Sequence, residues 1–153
     1  MGMDIQQLTW KDGEIALDPA IVALPGYFGG QPAMLNVNGQ ATPALGASPT
    51  YIGMFKNSWS EDSKNGNVTI IPGGNKVIFF NGSNQIDSQD ESGNIQEGAP
   101  YNTALTYANA EYLYIDPATA LWTNVLNGTP KGIITKAPTA TDGSLVAYMF
   151  MVQ

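Results

Sequence analysis

The sequence predicts an all-β protein: a small antiparallel β-sandwich or barrel that carries an extended N-terminal arm. The first observation is the recurrence of Asn-Gly and Asp-Gly pairs, together with Gly73-Gly74, because these residues accept the positive φ of hairpin corners. The second is that β-branched and aromatic runs lie between these corners. The third is the near absence of helical periodicity. A chain of 153 residues with 43% hydrophobic residues can bury the core of one domain.

Residues 1–50 are predicted to form the arm, and residues 51–153 the β-sandwich or barrel domain. The first 50 residues hold five of the ten prolines and no sustained period of 2 or 3.6. They are too apolar for a free linker, so they must lie against their own domain or a neighbouring chain. A short hairpin over 33–45 is the one regular element expected there. The alternative, in which residues 1–50 complete the core of their own domain, stays open.

The remainder of the chain predicts three hairpins and one short helical turn. Residues 58–66 have the Ser58–Glu61 spacing of a capping box and an Asn-Gly stop, which predicts a turn or two of helix. The hairpins are expected over 67–82, 110–124 and 132–152. In the second hairpin, Asp116 followed by proline predicts a type I turn.

The final strand, within 145–152, is apolar on both faces, which is unusual for an antiparallel sheet. One side of the strand is expected to contact the core, and the other to contact another subunit or sheet. A central strand that is covered by a loop would show the same apolar pattern. We therefore predict a subunit interface on the second face, formed by Val146, Tyr148, Phe150 and Val152.

The charged residues exclude several classes of function. The chain has six lysines and 13 acidic residues, which give a net charge of −7, and it contains no arginine, histidine or cysteine. Zinc fingers, thiol chemistry and histidine-based catalysis are thereby excluded, and nucleic-acid binding lacks the basic stripe that it requires. We predict a non-enzymatic protein with no catalytic residue, metal or cofactor. No secretory signal or membrane-spanning run is expected in this sequence.

Two further patterns leave a binding site open as the alternative to a structural role. The acidic stretch 87–98 does not fit the spacing of an EF-hand, so a solvated loop is favoured over an irregular calcium site. Aromatic residues on the predicted strands are typical of a core, with a sugar-stacking platform as the alternative. That platform would use Trp59, Tyr101, Tyr107, Tyr112, Tyr114 and Trp122.

Residues 97–151 carry a pattern that resembles the small head-decoration, or capsid cement, proteins of tailed bacteriophages. In that pattern, a hairpin has the sequence LYVD before its turn and a leucine and a threonine after it. A glycine and then an Ala-Pro pair follow the hairpin, and a second glycine precedes the final apolar strand. The segment IGMFKNS at 52–58 fits a first copy of the same plan, so the resemblance covers the chain from about residue 50 onward. The matching positions are Tyr112 to Asp116, Leu121, Thr123, Gly132, Ala137, Pro138, Gly143 and Leu145 to Val152.

The resemblance implies a cofactor-free structural protein that is made in the host cytoplasm and binds the outer surface of the expanded capsid. Its partners would be the major capsid protein, which it would bridge and stabilise, and further copies of itself, with a trimer as one arrangement. The competing expectation is a virion surface module that binds a glycan or a host-cell receptor. If the arm reaches a neighbouring capsid subunit, the residues expected to make that contact are Trp10, Ile15, Leu17, Ile21, Val22 and Leu24.

Overall fold

A computed structural model describes residues 12–82 and 87–152, and within these ranges the predicted all-β class is confirmed. Twelve strands form two five-stranded antiparallel sheets and one small hairpin, and no α-helix is present in the described residues. The strands are β1 Gly13–Ala16, β2 Pro32–Leu35, β3 Ala41–Pro43, β4 Tyr51–Phe55, β5 Asn67–Ile71, β6 Lys76–Phe79, β7 Ser88–Gln89, β8 Ile95–Gln96, β9 Tyr112–Ile115, β10 Trp122–Thr123, β11 Gly132–Lys136 and β12 Leu145–Met149.

The first sheet has the strand order β1-β5-β4-β2-β3 and curls until its two edges meet. A parallel bridge joins Leu17, just after β1, to Ala41 at the start of β3. The Asp18 N–H donates to the Ala41 carbonyl oxygen at 2.9 Å. The curled sheet encloses a core of Leu17, Tyr27, Ala33, Ala41, Phe55, Trp59, Val68 and Ile70.

The second sheet has the order β10-β9-β11-β12-β6, and its inner face packs on the first sheet. Met54 reaches this core from β4, so successive residues of β4 serve both cores. The alternation of side chains along a strand explains the division, because Met54 and Phe55 point to opposite faces. The core between the sheets contains Ala44, Met54, Phe79, Tyr101, Tyr107, Leu113, Ile115, Trp122, Ile134, Leu145, Ala147 and Met149.

Two of the three long hairpins, and the short one, form as predicted. β9 pairs with β10, and Asp116 begins their turn by accepting the Ala118 N–H on its carboxylate and the Ala120 N–H on its carbonyl oxygen. β11 pairs with β12, with a bulge between Ile134 and Lys136. β2 and β3 form the short hairpin predicted within 33–45.

The predicted hairpin over 67–82 is wrong, because β5 lies in the first sheet and β6 in the second. The glycine pair between them has φ values of +103° and +81°, but it carries the chain across to the other sheet. Gly73 lies so close to the Phe150 carbonyl oxygen that a Cβ would collide with it, and the Gly74 N–H donates to the Met149 carbonyl oxygen at 2.7 Å. Long-range contacts with the end of β12 therefore decide the path of this turn.

The predicted arm is also wrong for the part of residues 1–50 that the structure describes, because three strands of the first sheet lie there. Leu17 is fully buried in the core of that sheet, and Ile15, Ile21 and Leu24 pack against the same core. Of the described arm candidates, only Val22 is exposed. The reason is energetic: these apolar side chains lose more water-exposed area inside their own sheet than an extended arm would allow. Trp10 lies outside the described residues.

The predicted helical turn is a single 3₁₀ turn at Glu61–Ser63, and its N-cap is Ser60 rather than Ser58. No side-chain hydrogen bond caps it: the Ser58 hydroxyl accepts the Gly29 N–H, and the Glu61 carboxylate binds Lys64 and the Glu91 N–H. Asn65 adopts the left-handed conformation expected of the stop signal, with a φ of 59°.

Candidate functional site

The outer face of the second sheet carries a row of apolar and aromatic side chains. The strand register places Tyr112, Ile133, Tyr148 and Lys76 side by side on β9, β11, β12 and β6. Residues two positions along a strand share a face, so Ile78 lies in the next row. We call this surface the aromatic face and define it by Lys76, Ile78, Tyr112, Ile133, Tyr148 and Phe150.

The rings of the aromatic face contact one another and remain open to solvent. The Phe150 ring centroid lies 6.5 Å from that of Tyr112 and 6.1 Å from that of Tyr148. Tyr112 is 48% exposed, Tyr148 43% and Ile78 53%. Together these three side chains present roughly 300 Å² to solvent, tyrosine hydroxyls included, which is the lower end of the range for the largest apolar patch on an ordinary monomer. The largest patch of a monomer often has a function.

The structure divides the four residues of the predicted interface. Tyr148 is exposed at the centre of the aromatic face, Phe150 and Val152 are half-buried, and Val146 is only 7% exposed. Val146 therefore offers little surface to a partner, and the prediction is wrong for that residue. The other residues of the face lie on β6, β9 and β11, whose consecutive apolar residues give no period-2 alternation that could have separated outward from inward positions.

A groove of about 670 Å³ adjoins the aromatic face at Phe150 and includes Val152. At its wall, the Lys131 Nζ lies 5.2 Å above the Tyr51 ring centroid. The Tyr51 hydroxyl is buried and has no hydrogen-bond partner within the described ranges. Burial raises the pKa of Tyr51, so this phenol stays neutral. The groove extends the surface beyond Phe150 with both polar and apolar side chains and adds one cation to it.

The sugar-stacking platform, which was the alternative to a core role for these aromatic residues, does not form. Of its six aromatic residues only Tyr112 is exposed, because the others are buried side chains of the cores or strands. Trp122 shows why: it is fully buried between the sheets, and its Nε1–H donates to the Gly30 carbonyl oxygen at 2.7 Å.

The acidic stretch 87–98 forms the β7–β8 hairpin, in which Asp90 shapes the turn. Its carboxylate accepts the N–H groups of Ser92 and Asn94 and the Asn94 side-chain amide. These bonds lower the pKa of Asp90, with the Asn94 side chain as the main cause. Within residues 12–82 and 87–152, no group of three or more acidic side chains is arranged to hold a metal ion.

Several ionisable groups outside the aromatic face have shifted pKa values. The Ser144 hydroxyl, followed by the Lys136 ammonium, lowers the pKa of Asp142, and the Asn124 amide lowers that of Glu111. In the opposite sense, burial raises the pKa of Tyr27 to about 12.

We expect the free energy of unfolding to change little between about pH 6 and pH 9, because the chain has no histidine or cysteine. The lowered carboxylate pKa values contribute stability above about pH 4, which is lost as the pH falls through the folded-state values. The raised tyrosine pKa values contribute stability that is present below about pH 10 and lost as the pH rises through the folded-state values. Urea unfolding across a pH series, with tyrosinate absorbance as the second signal, tests this. A stability transition centred near pH 7 would contradict it.

No helix in the described part of the chain is long and apolar enough to cross a bilayer. Comparison of the sequence with protein-family models and with curated proteins, and of the fold with solved structures, yields no match.

Proposed function

We propose that this chain is a structural virion protein of a tailed bacteriophage, which binds the outer surface of the mature capsid through the aromatic face and stabilises the shell. The observation that carries this proposal is the ring cluster on the outer sheet face, in which the exposed Tyr112 and Tyr148 flank the half-buried Phe150. A rigid sheet presents these rings in fixed positions, so little conformational entropy is lost when a partner covers them.

The composition supports a protein that works in an assembly rather than alone. Charged residues make up 12% of the chain, about half the usual share, and neutral polar residues replace them. Cores of protein interfaces are depleted in charge and enriched in tyrosine and phenylalanine, as the aromatic face is. The resemblance of residues 97–151 to head-decoration proteins names the class of assembly.

Stabilisation follows from preferential binding to one state of the capsid. A ligand that binds only the expanded shell stabilises it by RT ln(1 + [L]/Kd), which is about 2.7 kcal/mol per site at 100 times Kd. Bridging by Ile15, Leu17, Ile21 and Leu24 does not fit their packing in the protein's own core. We therefore assign the capsid contact to the aromatic face and the adjoining groove.

The competing function, a glycan- or receptor-binding surface module, has less support. Sugar sites combine a stacking ring with several hydrogen-bonding groups that fix the orientation of the ligand. On the aromatic face, the one charged side chain is Lys76, and the remaining side chains are apolar or tyrosine.

The test is co-sedimentation with shells assembled from the major capsid protein encoded in the same genome, before and after expansion. We expect binding to expanded shells only, and at least tenfold weaker binding by Tyr148→Asp, because the substitution places a charge at the centre of the contact. Val37→Asp is the matched control, since Val37 is fully exposed on the β2–β3 turn, away from the face. Unchanged binding by Tyr148→Asp, or binding to cells or glycans but not to shells, would refute the proposal.

A further inference from the structure

In the second sheet, one edge strand, β6, stays open among the described residues. The edges of the first sheet, β1 and β3, meet through the Leu17–Ala41 bridge. In the second sheet, the edge strand β10 is covered by the segment at 100–102, since the Asn102 N–H donates to the Trp122 carbonyl oxygen and the Trp122 N–H donates to that of Pro100. β6 pairs with β12 on one side and with no described strand on the other.

The backbone groups on this open edge can be assigned from the ladder. The Met149 N–H donates to the Asn75 carbonyl oxygen at 3.0 Å, so residues 75, 77 and 79 direct their backbone groups toward β12. Lys76, Ile78 and the next alternate residue, Phe80, direct theirs away from it. These outward N–H and C=O groups have no hydrogen-bond partner among residues 12–82 and 87–152.

The side chains beside these groups protect the edge only at its start. Natural edge strands are shielded by short length, a charged side chain such as lysine, proline, a bulge or an inward-pointing charge. β6 is short and begins with Lys76, but it contains no proline, bulge or inward-pointing charge, and Ile78 and Phe80 are about half exposed. An apolar edge of this kind is a template for another strand.

We infer that a second copy of this chain pairs its own β6 with this edge, antiparallel about a two-fold axis at Ile78. This register places Ile78 opposite Ile78 of the second copy, so that each N–H meets a carbonyl oxygen. It also places Lys76 opposite Phe80 of the second copy, and the ammonium then lies beside an aromatic ring. Lys76 has no ion pair with any described residue, and the two-fold axis keeps the two lysines apart.

The edge is therefore complementary to itself, which is the reason for choosing a second copy as the occupant. A closed two-fold contact of this kind ends after two chains, so it forms a dimer rather than the trimer expected from the sequence. The pairing joins two second sheets into one ten-stranded sheet and places both aromatic faces on the same side. The inference does not depend on capsid binding.

Sedimentation equilibrium from about 1 µM to about 100 µM tests the dimer. We expect wild type to dimerise in this range and Phe80→Lys to shift the dissociation constant at least tenfold toward monomer, because it sets two lysines opposite each other. Adding Lys76→Glu to Phe80→Lys should restore the dimer, since the register then pairs opposite charges. Leu126→Lys, which also adds a lysine at an exposed site outside β6, is the matched control.

A second variant tests the backbone bonds. Ile78→Pro removes an N–H that points away from β12, so the protomer keeps its ladder while the dimer loses two hydrogen bonds. A folded, monomeric Ile78→Pro supports the inference. A wild-type protein that stays monomeric at all concentrations would overturn the inference. A dimer that survives Phe80→Lys would also overturn it, as would a dimer that is disrupted by Tyr148→Asp and by none of the β6 variants. Slow amide exchange at Ile78 in the dilute monomer would also overturn it, because the chain itself would then cover the edge.

Discussion

A chain from which residues 2–24 have been deleted should lose its cooperative fold. The deletion removes β1, which pairs with β5 along its whole length, and it removes Leu17 from the core of the first sheet. It also opens the curled sheet, because the Leu17–Ala41 bridge closes that sheet on itself. Since native domains are stable by only about 5–15 kcal/mol, a domain that loses a strand and its closure should unfold. Circular dichroism and urea unfolding measure this directly.

A single substitution gives the same test on a finer scale. Leu17→Ala is expected to lower the free energy of unfolding by about 2–5 kcal/mol, as for other fully buried leucines. Val22→Ala is the matched control, because Val22 is an exposed apolar residue of the same segment and should change stability by less than about 0.5 kcal/mol. A folded deletion chain, or equal effects of the two substitutions, would show that this segment does not belong to the core. Either result would support the extended arm that the sequence predicted.

The second large effect is expected at Trp122, which joins the two sheets. Its side chain is fully buried, its ring meets that of Tyr51 edge-on at 5.9 Å, and its Nε1–H donates to the Gly30 carbonyl oxygen. Trp122→Ala should lower the free energy of unfolding by about 3–5 kcal/mol, because it leaves a cavity and an unpaired carbonyl group. Chemical unfolding followed by circular dichroism measures the loss.

Trp122→Phe separates the two contributions. This variant keeps an aromatic ring in the core but removes the hydrogen bond, so most of the packing should survive and the loss should be smaller, about 1–3 kcal/mol. Leu126→Ala is the surface control, since Leu126 lies four residues further on and is exposed. If Trp122→Ala cost no more than Leu126→Ala, the packing of the two sheets described above would be incorrect.

Local sequence predicted the elements whose partners are close along the chain. The Asp116 turn and the β9–β10 hairpin follow from Asp and Pro at adjacent turn positions, and the β11–β12 hairpin follows from two apolar runs separated by a glycine-containing turn. The same reasoning predicted a left-handed residue at the end of the 58–66 turn, which Asn65 provides. In each case a few neighbouring residues restrict the backbone enough to select one geometry.

The partners of the remaining strands depend on contacts that are far apart in sequence. Gly73-Gly74 permits a tight hairpin, but the end of β12 binds this turn and sends β6 into the other sheet. Likewise, the apolar residues at 15–24 have no internal period, and only the curled first sheet provides the core that buries Leu17.

The candidate site divides along the same line. Composition and patterning alone predicted the all-β class and a final strand that is apolar on both faces. They also excluded chemistry that requires histidine, cysteine or arginine. The tertiary structure decided which of those outward residues remain exposed, because exposure depends on what neighbouring strands cover: it buries Val146 and leaves Tyr148 open beside Tyr112 and Phe150. It also decided that β6 ends the second sheet, since strand order is set by long-range packing and not by any property of the strand's own residues.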